Sequence, residues 1–291
     1  MAAGHRPRLG DSRSMSRLLL LSELHPALDE FVAGAGLVGV LPDAGDAIGE
    51  PEIAERARAH LRRASAQLVD VDLDADVAAQ LGRIEVLVVT GGDPAALNVR
   101  LRRTGGGALI VAAVREGRLA YAGLSAGSIV AGPSLAPQID VGILDLPTGP
   151  ALDALALTDV HVLVHHERRG RDGLHARALE RHGVTRTLVT LADADGLLIV
   201  DGDPELFGPQ RGDRLRSALP RDAPALAAIL DDIDWPERLT RPGVVVDTRD
   251  GTVRGVLAVG RRTLTSLGVP PGTPGVEERL RAWAVAATVA G

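Results

Sequence analysis

Apolar and polar positions alternate in two patterns between residues 15 and 208. Short apolar runs such as IEVLVVTGG are bounded by turn-forming residues, which is typical of buried strands. The predicted strands cover residues 17–22, 36–42, 68–73, 84–92, 119–125, 160–166 and 196–202. Longer amphipathic segments predict helices at 51–67, 108–117 and 172–183, and a further helix beginning at residue 126. This alternation predicts an α/β fold in which helices flank a mostly parallel sheet.

The pattern changes near Gly208, where the stretch GPQRGDR is polar and contains glycine and proline. We expect this stretch to bury little and to act as a linker. It divides the chain into a domain over residues 15–208 and a small α+β appendage over residues 214–291. The elements predicted in the appendage are a helix at 220–233, a hairpin at 244–260 with a tight turn at Asp250-Gly251, and a closing helix at 276–290.

Composition excludes several kinds of chemistry. The chain has no cysteine, and its 32 basic residues are all arginine. Thiolate nucleophiles, Schiff-base lysines and Walker phosphate loops are therefore excluded. A net charge of −6 disfavours a nucleic-acid partner.

The sequence also bears on the cellular compartment of the protein. No apolar run approaches the ~20 residues of a membrane span. The apolar stretch after the polar N-terminal residues is too short for a secretory signal, and Met15 is a candidate start. Together with the absence of cysteine, this predicts a cytoplasmic protein without a membrane partner.

The segment Gly123-Leu124-Ser125-Ala126-Gly127 matches the G-x-S-x-G nucleophile elbow. A predicted strand precedes Ser125 and a predicted helix follows it, which is the setting that the motif requires. Flanking glycines allow the strained turn that lifts a serine above a sheet, and the next backbone N–H points at a developing oxyanion. Ser125 is therefore the candidate nucleophile.

Residues 88–135, from VVTGGDP to the elbow and AGPSL, resemble the nucleophile region of the peptidase E and cyanophycinase family of serine peptidases. The resemblance extends more loosely from Arg17 to Phe207. It implies a fold related to class I glutamine amidotransferases, a Ser-His-acid triad and hydrolysis of a peptide or isopeptide bond in a small, aspartyl dipeptide-like substrate. It implies no cofactor.

The family's base lies at the end of a strand, and LALTDVHVLVHH resembles that segment with His165 in the base position. Val164 and His166 replace the family's usual proline and aromatic neighbours, so His166 remains an alternative. In peptidase E the acid lies in the loop after the nucleophile, which corresponds to Asp140. In cyanophycinases the acid comes later in the sequence, and a resemblance to them makes Asp193 and Asp195 the candidates.

The remaining site candidates complete a serine-hydrolase hypothesis. The N–H of Ala126 with that of Gly91 or Gly92 would form the oxyanion hole. Arg168 and Arg169 follow the base and could bind a substrate carboxylate. The nearby histidines lack the spacing of a metal motif, so no metal is predicted. The alternative function is a non-catalytic, amidotransferase-like binding or regulatory module with a degenerate triad.

The beginning of the appendage, from LRSALPRDAP to the hairpin, resembles the opening of a GNAT-superfamily acetyltransferase. That resemblance implies a glycine-rich coenzyme A loop after the hairpin, but PPGTPGVEERL lacks the pattern. We therefore expect a packing role for the appendage rather than acyl transfer.

Overall fold

The computed structural model describes residues 15–64, 66–144, 152–211, 213–230, 233–239, 243–249, 251–260, 263–270, 273 and 275–290. The strands are β1 (Arg17–Leu21), β2 (Val38–Leu41), β3 (Leu68–Asp70), β4 (Val86–Val89), β5 (Ala120–Leu124), β6 (Val160–Leu163), β7 (Thr187–Thr190), β8 (Gly196–Val200), β9 (Asp203–Phe207), β10 (Asp213–Ser217), β11 (Val244–Arg249), β12 (Thr252–Gly260) and β13 (Thr263–Gly268). The helices are α1 (Ala27–Val32), α2 (Asp43–Asp46), α3 (Glu52–Arg63), α4 (Val77–Leu81), α5 (Pro94–Thr104), α6 (Gly106–Arg115), α7 (Ala126–Ala131), α8 (Ala136–Ile139), α9 (Arg171–His182), α10 (Ala223–Ala227), α11 (Trp235–Arg238) and α12 (Val276–Ala290), with a 3₁₀ turn at Pro220–Asp222.

The central sheet has seven strands in the order β3-β2-β4-β5-β1-β8-β9. Strands β1 to β5 pair in parallel, whereas β8 and β9 are antiparallel to their neighbours. In β1, Leu18 and Leu20 pack into one hydrophobic cluster and Leu19 and Leu21 into another on the opposite face. The uninterrupted leucine run follows from this burial on both faces. The predicted α/β class, with a mostly parallel sheet, is confirmed.

The strand that leads to the histidines is not part of the central sheet. It ends at Leu163, earlier than predicted, and β6 pairs in parallel with β7 as a separate two-stranded sheet. Strand β7 and helix α5 were not predicted from the sequence. Helix α5 has a local signal: the Asp93 side chain caps the N–H groups of Ala95 and Ala96, and proline follows the cap.

The C-terminal region forms a four-stranded antiparallel sheet, β10-β11-β12-β13, with helix α12. The β11–β12 hairpin and the closing helix confirm the predictions, although Asp250 lies outside the described residues. The helix predicted at 220–233 was too long: a 3₁₀ turn and the short helix α10 occupy its beginning, and residues 231–232 are not among those described.

This region shares a core with the first domain. Helix α12 packs against α9, and one cluster combines side chains from both. Its buried members are Val141, Leu163, Ala178, Leu179, Leu188, Val245, Leu257, Val276, Leu280, Trp283 and Ala284.

The stretch expected to be a solvated linker is partly buried. Gln210 is only 8% exposed, and Gly208 has φ +97°. A Cβ on Gly208 would lie 2.5 Å from the carbonyl oxygen of Ala194. Gly208 and Gln210 therefore contact the loop after β7. Gly208, Pro209 and Arg211 are exposed, so among its described residues the stretch buries more than expected only at Gln210 and Arg214.

None of the helices in the described ranges is long and apolar enough to cross a membrane.

Candidate active site

Ser125 lies in the bend between β5 and α7, with φ 49° and ψ −105°. Non-glycine residues rarely adopt a positive φ, so the bend is strained. A Cβ at Gly123 would lie 2.6 Å from the carbonyl carbon of Gly127, and one at Gly127 would overlap the carbonyl group of Val89. Both glycines of the motif are therefore required by close backbone contacts.

His165 is the histidine that reaches Ser125. Its Nε2 lies 2.8 Å from the Ser125 Oγ, and the residue is only 9% exposed. Its φ of 61° is also left-handed, because the chain turns sharply just after β6. His166 points elsewhere and stacks on His175, with 3.0 Å between the two Nδ1 atoms. Between the two alternatives, the geometry selects His165.

The carboxylate beside His165 is that of Asp193. Its Oδ1 lies 2.6 Å from the Nδ1 of His165, so both ring nitrogens are engaged. Asp140 does not reach His165, which corrects the expectation from the resemblance; its Oδ2 lies 3.0 Å from Nε2 of His182 on α9. Asp195 points away into the protein and pairs with Arg214.

A physical reason explains why Asp193 occupies this place. Strands β6 and β7 are parallel neighbours, so their carboxyl ends lie at the same edge, and the loop after β7 meets the turn after β6. Asp140 follows α8, which contacts α9 instead. The signal that could have identified Asp193 was the unrecognised strand β7, TLVT, directly before LADADG.

Arg168 supports the Asp193 carboxylate. Its Nε donates to Asp193 Oδ2 at 3.0 Å and its Nη2 to Glu23 Oε2 at 2.7 Å. Burial raises the pKa of Asp193, but the hydrogen bonds from His165 and Arg168 outweigh burial, and the net pKa lies below its usual value. Asp193 is therefore ionised at neutral pH.

The expected substrate-binding role of Arg168 is not what this geometry indicates, because its guanidinium already binds two carboxylates. Arg169 is exposed, and no hydrogen bond or ion pair of its side chain is found within the described parts of the chain.

Ser22, at the end of β1, holds the backbone of the base. Its Oγ accepts from the N–H of His165 at 3.1 Å and donates to the carbonyl oxygen of Leu191 at 2.9 Å. The hydroxyl is buried and connects the central sheet to both β6 and β7 at their carboxyl ends. Ser22 was not among the predicted site residues, because one serine after an apolar strand has no distinctive pattern.

Two of the candidate oxyanion-hole residues, Ala126 and Gly91, lie next to the serine. Ala126 is the first residue of α7, where a helix N–H has no carbonyl of its own helix to bind. A Cβ on Gly91 would lie 3.3 Å from the Cβ of Ser125. Gly92 has φ +135°, and a Cβ there would overlap the carbonyl group of Ala44. The loop after β4 thus approaches Ser125 at Gly91, whereas Gly92 packs against the backbone of α2.

Glu23, His165 and Asp193 bring three possible ligand atoms within 4.8 Å of one another. The same carboxylates accept hydrogen bonds from Arg168, and Asp193 also contacts His165. These contacts explain the cluster without a metal, since the guanidinium already balances the carboxylate charge.

An α/β fold with a serine at a strand-to-helix elbow, joined through a histidine to a carboxylate, is the arrangement of a serine hydrolase. Residues 14–207 match the family model of Peptidase family S51. The chain belongs to this family and is a serine peptidase, which confirms the resemblance found in the sequence.

Two solved structures share the fold. A peptidase E protein from Listeria monocytogenes EGD-e is 21% identical, with a TM-score of 0.57, and the match covers 67% of this chain and 98% of that one. A peptidase from an acI-B1 Actinobacterium is 17% identical, with a TM-score of 0.53, covering 67% and 88% of the two chains. No curated protein matches the chain. The resemblance of the C-terminal region to an acetyltransferase stays a prediction.

Proposed function

We propose that the protein hydrolyses a peptide or isopeptide bond through an acyl-enzyme formed on Ser125. The observation that supports this proposal is the continuous chain of contacts Ser125–His165–Asp193, at 2.8 and 2.6 Å. Such a chain gives a serine hydroxyl an adjacent base whose far nitrogen is oriented by a carboxylate.

In the proposed acylation, Nε2 of neutral His165 takes the hydroxyl proton as Ser125 Oγ bonds to the substrate carbonyl carbon. The carbonyl oxygen becomes an oxyanion, which the N–H of Ala126 and an N–H of Gly91 or Gly92 stabilise. Asp193 keeps the Nδ1 proton in place and stabilises the imidazolium. His165 then protonates the leaving amine as the carbon–nitrogen bond breaks.

Deacylation repeats these steps with water. His165 takes a proton from the water as its oxygen attacks the ester carbon, and then returns a proton to Ser125 Oγ as the carbon–oxygen bond breaks. The products are a carboxylic acid and the free enzyme. No cofactor takes part in the proposed cycle.

For the substrate we propose a small peptide with an aspartyl residue at the cleaved bond. A nucleic-acid substrate is disfavoured by the net charge of −6. Arg169, exposed and four residues after the base, can offer a guanidinium to an acidic substrate group. Comparing kcat/KM for Asp-X and Ala-X dipeptides in the wild type and in Arg169→Ala tests this: the variant should lose the preference for Asp-X. An unchanged preference would refute the role of Arg169.

The acyl-enzyme is tested by covalent labelling with a fluorophosphonate. We expect rapid labelling of the wild type and none of Ser125→Ala. Ser134→Ala is the matched control, because Ser134 is a partly buried serine in the loop after α7, and it should label at the wild-type rate. Equal labelling of Ser125→Ala and wild type would disprove the nucleophile. A wild type that neither labels nor hydrolyses peptides would instead favour the non-catalytic, amidotransferase-like module.

We also propose that the enzyme acts in the cytoplasm, because a chain without cysteine suits a reducing compartment. Cell fractionation that recovers the protein outside the cytoplasm would refute this.

A further inference from the structure

We infer that the C-terminal region positions His165 and Asp193 through one side chain, Arg214. This inference rests on the proposed function. Arg214 lies on β10, and its side chain is only 3% exposed. Its Nη1 lies 2.5 Å from Asp195 Oδ2, and its Nη2 lies 3.3 Å from Glu167 Oε1.

The two partners of Arg214 follow the two groups that assist the nucleophile. Glu167 lies two residues after His165, and Asp195 lies two residues after Asp193. One guanidinium therefore binds both the turn after β6 and the loop after β7. The distance between those two segments decides whether the Asp193 carboxylate stays on Nδ1 of His165.

The loop after β7 is folded around the Asp195 carboxylate. Asp195 is 0% exposed, and its oxygens accept the N–H of Ala192 at 3.1 Å and that of Gln210 at 2.9 Å. Arg214 supplies the positive charge for this buried carboxylate. Without Arg214 the carboxylate would be buried and uncompensated, a costly state that the loop can relieve by moving towards solvent. Such a movement would carry Asp193 with it.

The contribution comes from outside the part of the chain that defines the family. The family match ends at residue 207, whereas Gln210 and Arg214 lie beyond it. Gly208 also packs directly on the loop, since a Cβ there would lie 2.8 Å from the Cα of Asp195. The C-terminal region thus completes the support of the acid loop, in addition to covering α9.

The same strand provides a matched control. Arg216, two residues further along β10, is buried and binds Asp222 through two hydrogen bonds of 2.7 and 2.9 Å. Asp222 also accepts the N–H of Leu219, so this ion pair stabilises the C-terminal region itself. It has the same chemistry and similar burial as the Arg214 pair, but it binds neither of the two catalytic loops.

The experiment compares Arg214→Met, Arg214→Lys and Arg216→Met in the full chain. The rate of fluorophosphonate labelling is measured as a function of pH, and thermal melting is measured in parallel. We expect Arg214→Met to label about 10- to 100-fold more slowly than wild type, because small misplacements of catalytic groups have effects of this size. The acid limb of its pH–rate profile should also move to lower pH, because an imidazolium that loses its carboxylate is less stable.

Arg216→Met should melt at a lower temperature while its labelling rate stays within about twofold and its pH profile is unchanged. Arg214→Lys should recover part of the rate, because its ammonium group restores a positive charge beside Asp195 but cannot also bind Glu167.

A double variant, Arg214→Met with Asp195→Asn, keeps the test decisive if Arg214→Met fails to fold, because it removes the uncompensated charge. It should fold and still label slowly. The inference is overturned if the folded Arg214 variants label like wild type with an unchanged profile, or if Arg216→Met slows labelling as much as Arg214→Met. Absence of labelling in the wild type would refute the proposed function instead.

Discussion

Two histidine–aspartate contacts in this chain differ in what surrounds them. His165 and Asp193 lie 2.6 Å apart at the carboxyl ends of β6 and β7, and the other ring nitrogen of His165 faces Ser125. His182 and Asp140 lie 3.0 Å apart at the end of α9. Burial, followed by the charge of Arg186, lowers the pKa of His182, so it is neutral at neutral pH. No hydrogen bond of suitable geometry is found for its Nε2 among the described residues.

The two pairs differ in how many groups hold the histidine and the carboxylate in place. The His165 pair has three further supports: a hydroxyl on the second ring nitrogen, the Arg168 guanidinium on the carboxylate, and the Ser22 hydroxyl on the backbone. At the other pair, Arg181 donates to the backbone carbonyl of Asp140 rather than to its carboxylate. The position of Asp140 shortly after the nucleophile in sequence did not bring it to the site.

The sharpest test of this comparison replaces each aspartate in turn. Asp193→Asn should lower the rate of hydrolysis and of fluorophosphonate labelling by about 10²- to 10⁴-fold, because the amide can no longer hold the catalytic tautomer or stabilise the imidazolium. Asp140→Asn should stay within about twofold of wild type. If Asp140→Asn is the variant that loses activity, the assignment of the two pairs is reversed.

Removing the hydrogen bond from Arg168 to Asp193 should have a smaller effect than replacing Asp193 itself. We expect Arg168→Met to label about tenfold more slowly. Asp193 has a lowered pKa in the fold, so its ionised form persists as pH falls; without the Arg168 hydrogen bond its pKa should rise and activity should fail at a higher pH. A pH–rate profile from pH 4 to pH 8 measures both effects. Arg181→Met is the control at the other pair, and a loss of equal size there would contradict the interpretation.

The backbone support should matter less for rate than for stability. Ser22→Ala leaves the buried N–H of His165 without its partner, whereas the carbonyl of Leu191 still accepts from the N–H of His166. The lost partner should reduce the free energy of unfolding by about 1–3 kcal/mol. Labelling should slow a few-fold. Thr190→Val is the matched control, since the buried Thr190 hydroxyl has no hydrogen-bond partner among the described residues. If denaturant unfolding gives the same decrease in the free energy of unfolding for both variants, the Ser22 hydroxyl does not support the backbone of His165.

Two histidines near the base, His166 and His175, should affect only the pH dependence of stability. Burial lowers the pKa of His166 to about 4 and that of His175 to about 3. Between pH 6.5 and 4 these histidines become protonated in the unfolded chain but stay neutral in the fold. The free energy of unfolding should therefore decrease as the pH is lowered, by about 1.4 kcal/mol per pH unit for each histidine.

His175→Phe should make that slope shallower over the same range and leave labelling at pH 8 near the wild-type rate. Unfolding curves in denaturant at several pH values measure the slope. An unchanged slope would mean that His175 is protonated in the fold.

Local patterns in the sequence determined much of this protein. The apolar runs located the parallel strands, and glycine on both sides of Ser125 identified the elbow, because a sharp bend places its steric demands on adjacent residues. The resemblance of LALTDVHVLVHH to the family's base segment narrowed the base to His165 or His166. The class of fold and the class of chemistry followed from these segments together.

Only the tertiary structure decided between Asp140, Asp193 and Asp195, and only it showed that Arg214 binds inside the protein rather than in a linker. The choice of acid depends on strand β7 pairing with β6, a contact between residues far apart in the chain. A polar residue that pairs with a buried partner looks the same in sequence as one that faces water. The distinction lies in which partner the fold brings to it, and no local window of residues contains that information.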